Sequence, residues 1–317
     1  TPVLSSAASD VYKRQVLWHK MYNSTRDYGR KGSVVSGISA VDIALWDIAG
    51  KYYDQPVYQL LGGAFRTKIK PYATGFYRIK GKGEASRLAE EALSHFENGF
   101  DHMKVKLGFG IDDDLKCMES IGHALKNKNV TLMIDTNHAY GRSEALTLGK
   151  NLQSYKLRWY EEPVVPEDIK GYAELRSKLD IPIAGGENEH TLFGFKSLFE
   201  NNAIDIAQPD IGSCGGITGA KHIINLAHSF GVEVNPHVWG SAIAQAASIQ
   251  VIASIPVTHF SIFAREPILE YDQSSHPFRR ELLSKPFELV NGMINIPDDK
   301  GLGIEVNLET VKKYKTN

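Results

Sequence analysis

Residues 130–188 read VTLMIDTNHAYGRSEALTLGKNLQSYKLRWYEEPVVPEDIKGYAELRSKLDIPIAGGEN, and the order of residue types in this stretch sets the fold class. A short β-rich run closing on Asp135 gives way to an amphipathic stretch, then to a run closing on Glu161, another amphipathic stretch, and a run closing on Glu187. Short apolar runs alternating with helix-length amphipathic segments are the pattern of βα units around a parallel sheet.

The same alternation continues on both sides. Strands are predicted to start at residues 69, 102, 130, 157, 181, 203, 232 and 259, the last being HFSIFA at 259–264. Helices are predicted over 84–98, 112–125, 143–154, 167–179, 192–200, 216–230 and 241–255. Eight strands with seven helices between them predict an α/β fold of (β/α)7β type, a modified TIM barrel. An open doubly wound sheet would carry a glycine-rich phosphate loop after its first strand, and none follows here.

Two segments fall outside the barrel period. SGISAVDIALWDIAGK (36–51) places Ile38, Val41, Leu45 and Ile48 at helical spacing, and QLLGG (59–63) reads as a turn of helix stopped by two glycines. PFELVNGMINIPDDKGLGIEVN (286–307) carries a hairpin-like VNG turn and is expected to pack beside the helix at 37–50. The resulting division is a leader over 1–15 that stands outside the fold, the helical part of a truncated α+β capping domain over 16–67, the barrel over 68–270, and a segment over 271–317 returning to the cap.

Composition narrows the function classes. Lys plus Arg number 36 against 37 Asp plus Glu, a net charge of -1, so no bulk field recruits nucleic acid or an anionic membrane. The two cysteines, Cys117 and Cys214, are too few for a disulfide framework and lack zinc-ligand spacing, which points to a reducing cytoplasm. Neither an apolar run of eighteen residues nor a charged-then-apolar leader with a cleavage site occurs.

In a barrel the reactive groups gather at the carboxyl ends of the strands. Four successive predicted strands end in acids there: Asp135, Glu161, Glu187 and Asp210. Converging carboxylates repel and raise one another's pKa unless a hard divalent ion sits among three of them, and an all-oxygen set suits Mg²⁺, with Mn²⁺ fitting as well. Taken singly, each acid can equally be a helix cap or a solvated loop residue. Lys104 and Lys106 in HMKVKL share a strand face. If that face is the interior, repulsion and desolvation are expected to lower their pKa values and leave one as a base; on a solvated edge they would be ordinary surface lysines. His237, closing the seventh strand opposite the second, is expected beside Asp210, which would fix its tautomer. Glu266, in AREP after the predicted eighth strand, is expected at the same rim, as a hydrogen-bond donor if protonated or as half of a salt bridge.

These residues in this order resemble the enolase superfamily, specifically its mandelate racemase subgroup, over most of residues 34–317. The KVK pair, the Asp135, Glu161 and Glu187 triad, the Asp210 and His237 dyad and the SGISAVDIALWDIAGK helix carry the resemblance. YATGFY (72–77), EEPVVPE (161–167), PHVWG (236–240) and EPILEYD (266–272) look most like the subgroup's sugar-lactone cycloisomerases. The resemblance implies Mg²⁺ held by the triad, Lys106 as a base helped by Lys104, His237 as a base or acid, and Asn137 near the metal shell or substrate. It implies proton abstraction α to a carboxylate and then β-elimination from an aldarolactone, with acid-sugar dehydration or racemisation as the alternative and an inactive metal-binding barrel as the second. It further implies a small acid-sugar or lactone substrate, a homo-oligomer, and a cap whose β-rich first part this sequence lacks.

Overall fold

The computed structural model of the chain describes residues 13–257 and 265–315. Its strands are β1 (Lys68–Ile69), β2 (Pro71–Thr74), β3 (His102–Lys106), β4 (Thr131–Asp135), β5 (Tyr160–Glu161), β6 (Ile183–Gly185), β7 (Ile206–Ala207), β8 (Glu233–Val234), β9 (Leu269–Asp272), β10 (Leu289–Val290) and β11 (Met293–Asn295). β2 to β9 form an eight-stranded sheet in the order β8-β7-β6-β5-β4-β3-β2-β9, parallel throughout. Side chains join its two ends: Asn235 Oδ1 accepts the Ile268 amide at 2.9 Å and Glu270 Oε2 accepts the Val238 amide at 3.0 Å.

The strand period of two explains how one sheet serves both stability and chemistry. Tyr72, Met133, Trp159, Ile206 and Ile268 cluster as a buried apolar floor. Two residues further along each run stand Thr74, Asp135, Glu161, Gln208 and Glu270, all buried and all polar. The opposite faces pack against the seven helices that follow β2 to β8, from Ala85–Glu97 to Ala242–Ser254, in the main apolar core.

Two strand boundaries differ from expectation. The run expected as a single strand from Ile69 to Thr74 is divided at Lys70: β1 pairs antiparallel with β11, whereas β2 enters the barrel. The predicted eighth strand at 259–264 lies outside the described residues, and the strand beside β2 is β9, ten positions later. β9 alternates Leu269, Glu270, Tyr271 and Asp272, so its acidic face hid it among loop-like residues.

The helix Ser33–Tyr53 docks on the helix Gly216–Ser229 through its polar side chains. Asp42 accepts the Thr218 amide at 2.8 Å and the Thr218 hydroxyl at 2.6 Å, Ser39 accepts the Gly215 amide, and Trp46 donates to Thr218 Oγ1. Asp42 thereby accepts a free amide of a helix N-terminus. Gly216, at φ 72°, permits the approach, because a Cβ there would lie 2.4 Å from Asp42 Oδ2. By length and apolarity Ser33–Tyr53 would suffice to span a membrane, but here Val35, Ile38, Ile43, Leu45, Trp46 and Ala49 are buried in protein. The helix Arg14–Thr25, which begins inside the expected leader, packs against it. The carboxy-terminal hairpin β10–β11 turns on Asn291 and Gly292, both at positive φ. The Leu302 amide donates to Asp47 Oδ1 at 2.9 Å, holding this tail beside the same helix as expected.

Candidate active site

The acids from β4, β5 and the end of β6 converge. Asp135, Glu161 and Glu187 offer carboxylate oxygens within 4.8 Å of one another. Register places them: Asp135 pairs with Glu161 across β4 and β5, and Glu187 follows β6 after Gly186, a residue at φ 118°. The donor set is all oxygen, and Glu187 Oε2 is a buried atom that no hydrogen bond occupies, with only the His237 imidazole in ion-pair reach. Both features fit a hard divalent cation.

Each end of the triad carries a nitrogen base. Lys106 Nζ contacts Asp135 and donates to Asn137 Oδ1 at 3.0 Å, and the Asn137 amide donates to Asp135 Oδ1 at 2.8 Å. At the other end His237 Nε2 lies 3.2 Å from Glu187 Oε2 while Nδ1 is 2.7 Å from Asp210 Oδ2. An imidazole held at Nδ1 by a carboxylate presents Nε2 to the site. Lys104, fully buried, donates to Glu161 Oε1 at 2.6 Å and pairs with Glu270 at 2.8 Å.

The charges do not follow the expected pattern for the lysines. Burial pulls Lys104 and Lys106 down, but the carboxylates around them outweigh it and both ammonium groups are pushed up. The expectation of lowered values counted each lysine's neighbour and its desolvation and left out the facing acids. Burial raises the Glu161 carboxyl to about 7, with Asp135, Glu270 and Glu187 adding to the rise against Lys104. Asp135 goes the other way: burial pushes it up, and Lys106 and Lys104 bring it below its ordinary value. His237 loses basicity to burial but regains more from Glu187, Glu270 and Asp210, reaching about 10.

Glu266 is not brought to this site. It precedes β9, so it sits at the amino end of that strand, 55% exposed and paired with Arg66, and its carbonyl accepts from Arg158. Its expected place is taken by Glu270, which accepts Thr74 Oγ1 at 2.7 Å and the Val238 amide, pairs with Lys104, and lies 3.8 Å from His237 Nε2. Glu270 was missed, as were Gln208 and Trp159, whose side chains donate to Glu161 Oε2 at 2.7 and 2.8 Å. The available signal was the period of two: each is an inward-facing neighbour at i±2 of a residue already singled out or of the apolar floor. Glu162, at φ 43°, is buried beside the triad; Asn188 donates to its Oε1, its Oε2 has no hydrogen-bond partner, and burial with Glu187 and Asp135 nearby raises it to about 8.

Known proteins resemble this chain in sequence and fold. The family model described as Enolase C-terminal domain-like matches residues 87–311, and the mandelate racemase / muconate lactonizing enzyme N-terminal domain matches residues 3–62. D-galactarolactone cycloisomerase of Agrobacterium fabrum is 39% identical over 306 residues, covering 96% of this chain and 81% of that protein. Arabinonate dehydratase of Saccharolobus solfataricus is 32% identical, covering 95% of this chain and 78% of that protein. The crystal structure of the 3,6-anhydro-D-galactonate cycloisomerase from Zobellia galactanivorans superposes with a TM-score of 0.89 at 38% identity, covering 100% of this chain and 88% of that one. With both family domains matched in order around an acidic triad on successive barrel strands, the chain belongs to the enolase superfamily of enzymes, in its mandelate racemase subgroup.

Proposed function

We propose that this enzyme removes the proton α to the carboxylate of a sugar lactone acid and opens the ring by β-elimination, an aldarolactone cycloisomerase of D-galactarolactone type. The observation that carries this reading is the pair of bases at the two ends of one acidic triad, Lys106 against Asp135 and His237 against Glu187. Asp135, Glu161 and Glu187 would hold Mg²⁺, for which Mn²⁺ can substitute in an all-oxygen set. Bound there, the cation supplies Lewis-acid stabilisation of the negative charge that develops on the substrate carboxylate.

Lys106 takes the α proton on Nζ as the neutral amine, a form that the free acids around it disfavour and that their engagement with a cation would make accessible, and the C–H electron pair passes into the carbon–carbon bond of an enediolate. Lys104, paired with Glu161 Oε1 and Glu270 Oε1, adds positive charge beside the substrate carboxylate. The pair then returns, the bond from the β carbon to the ring oxygen breaks, and that oxygen leaves as a carboxylate, a leaving group that needs little proton assistance. The enol that remains tautomerises to a 3-deoxy-2-oxo hexarate. His237, held by Asp210, faces the intermediate from the other end and can return a proton.

Acid-sugar dehydration is the second reading, favoured by the His237–Asp210 pair: hydroxide, unlike a carboxylate, needs an acid to leave. Incubation of the protein with Mg²⁺ and D-galactarolactone in deuterated water tests both. We expect deuterium entry at the α carbon and 2-oxo acid formation, with both reduced at least about 10²-fold in Lys106→Ala. Turnover of open-chain aldarates and aldonates alone would replace the first reading with the second. Undiminished exchange in Lys106→Ala would overturn the assignment of the base.

A further inference from the structure

The loop after β2 carries Tyr77 to the rim and is held there from three sides. Phe76, at φ 59°, donates its amide to Glu91 at 2.6 Å, Arg87 donates to the Tyr77 carbonyl at 2.6 Å, and Arg78 pairs with Asp113 at 2.9 Å. The Tyr77 hydroxyl donates to Asp272 Oδ2 at 2.8 Å and accepts Trp239 Nε1–H at 3.2 Å. These partners step outward from the reactive groups: Trp239 lies two residues beyond His237, and Asp272 lies two beyond Glu270 on the same face of β9. Arg279 pairs with Asp272 Oδ1 and rests its guanidinium 5.2 Å from the Trp239 ring centroid. Burial and Asp272 raise the Tyr77 hydroxyl to about 12, against the opposing charge of Lys106.

The polar edges of both aromatics are therefore committed, yet Trp239 is 55% and Tyr77 38% exposed. Among the described residues, the inward groups level with the triad, Thr74, Lys104, Gln208 and Glu270, are charged or hydrogen-bonding, and the apolar floor beneath them is buried. A fixed aromatic surface at the mouth of such a site suits contact with the C–H face of a ring. An open chain of freely rotating carbinols presents no comparable face.

We propose that Trp239 and Tyr77 form the substrate-selecting wall of this enzyme, stacking on the C–H face of a ring-closed sugar acid, with Asp272 and Arg279 as positioning residues that hold the wall upright. The inference rests on the proton-abstraction reading for its substrate class, but binding decides it independently of turnover. Calorimetric titration with D-galactarolactone and with galactarate, carried out on Mg²⁺-loaded protein in the Lys106→Ala background so that turnover does not consume the ligand, compares a ring with its open chain. Trp239→Ala is expected to weaken lactone binding about tenfold or more and galactarate binding less than about threefold, and Trp239→Phe to restore the lactone to within about threefold of native. Asp272→Asn is expected to raise KM for the lactone with kcat held within about twofold. Equal weakening of both ligands, an unchanged lactone affinity in Trp239→Ala, or a native protein that binds no lactone would each overturn the proposal. Failure of the proton-abstraction reading shows separately, as absence of deuterium entry into any acid while the ring-over-chain contrast in binding persists.

Discussion

Glu266 and Glu270 stand four positions apart in the approach to β9 and face opposite ends of the barrel. The first is exposed and pairs with Arg66; the second is buried among Thr74, Lys104 and the Val238 amide. Glu270→Gln, which keeps the shape and removes the charge, is expected to lower kcat about 10²-fold, whereas Glu266→Gln is expected to leave it within about twofold; initial rates of 2-oxo acid formation check both. The contrast also shows which site residues the sequence reveals. Asp135, Glu161 and Glu187 stood out because each closes its run, where a carboxylate interrupts an apolar pattern. Asn137, implied only by the family resemblance, donates its amide to Asp135 and accepts Lys106 Nζ. Glu270 sits in mid-strand, and only the placement of β9 itself would have turned it inward. The lysine pKa shifts were illegible for a different reason: their direction is set by acids from β4, β5 and β9, and no single segment contains them.

The contact between the helices Ser33–Tyr53 and Gly216–Ser229 places a carboxyl in apolar surroundings with Thr218 as its hydrogen-bond partner. Burial raises Asp42 from 3.8 to about 7. Between those values the folded chain keeps a proton that the unfolded chain has lost, so stability falls as pH rises through that window and the full contribution is present only below about 4. Melting temperatures of native protein and Asp42→Asn across pH 4 to 8 are expected to differ in slope: the native curve declines toward pH 7 relative to the variant, and the difference levels off above it. Parallel curves would show that Asp42 does not titrate in this window. The helical period of SGISAVDIALWDIAGK announced the helix, with its buried stripe of Ile38, Leu45 and Ala49. The partner was hidden, because nothing local ties Asp42 to Thr218 across 176 residues.

Across the molecule, carboxylates gathered from β4, β5 and the end of β6 would make cation binding a stability term for the whole fold. A cation bound to the folded chain alone adds about 2.7 kcal/mol at a hundred times its Kd. Mg²⁺ is therefore expected to raise the melting temperature measured by calorimetry, a chelator to reverse the gain, and Asp135→Asn to lose most of it. An unchanged melting temperature in native protein would count against the triad as a cation site. The barrel itself was readable because its βα period repeats, so that errors at one strand do not propagate to the next. Departures from that repetition were not readable: the division at Lys70 and the late start of β9 arise from pairing with distant segments, β11 and the Asn235 side chain. That division has a mechanical outcome. Since β1 and β2 are one continuous backbone shared by two sheets, the β10–β11 hairpin acts as a clamp on the first stave of the catalytic barrel, and its removal would leave that stave loose at its root.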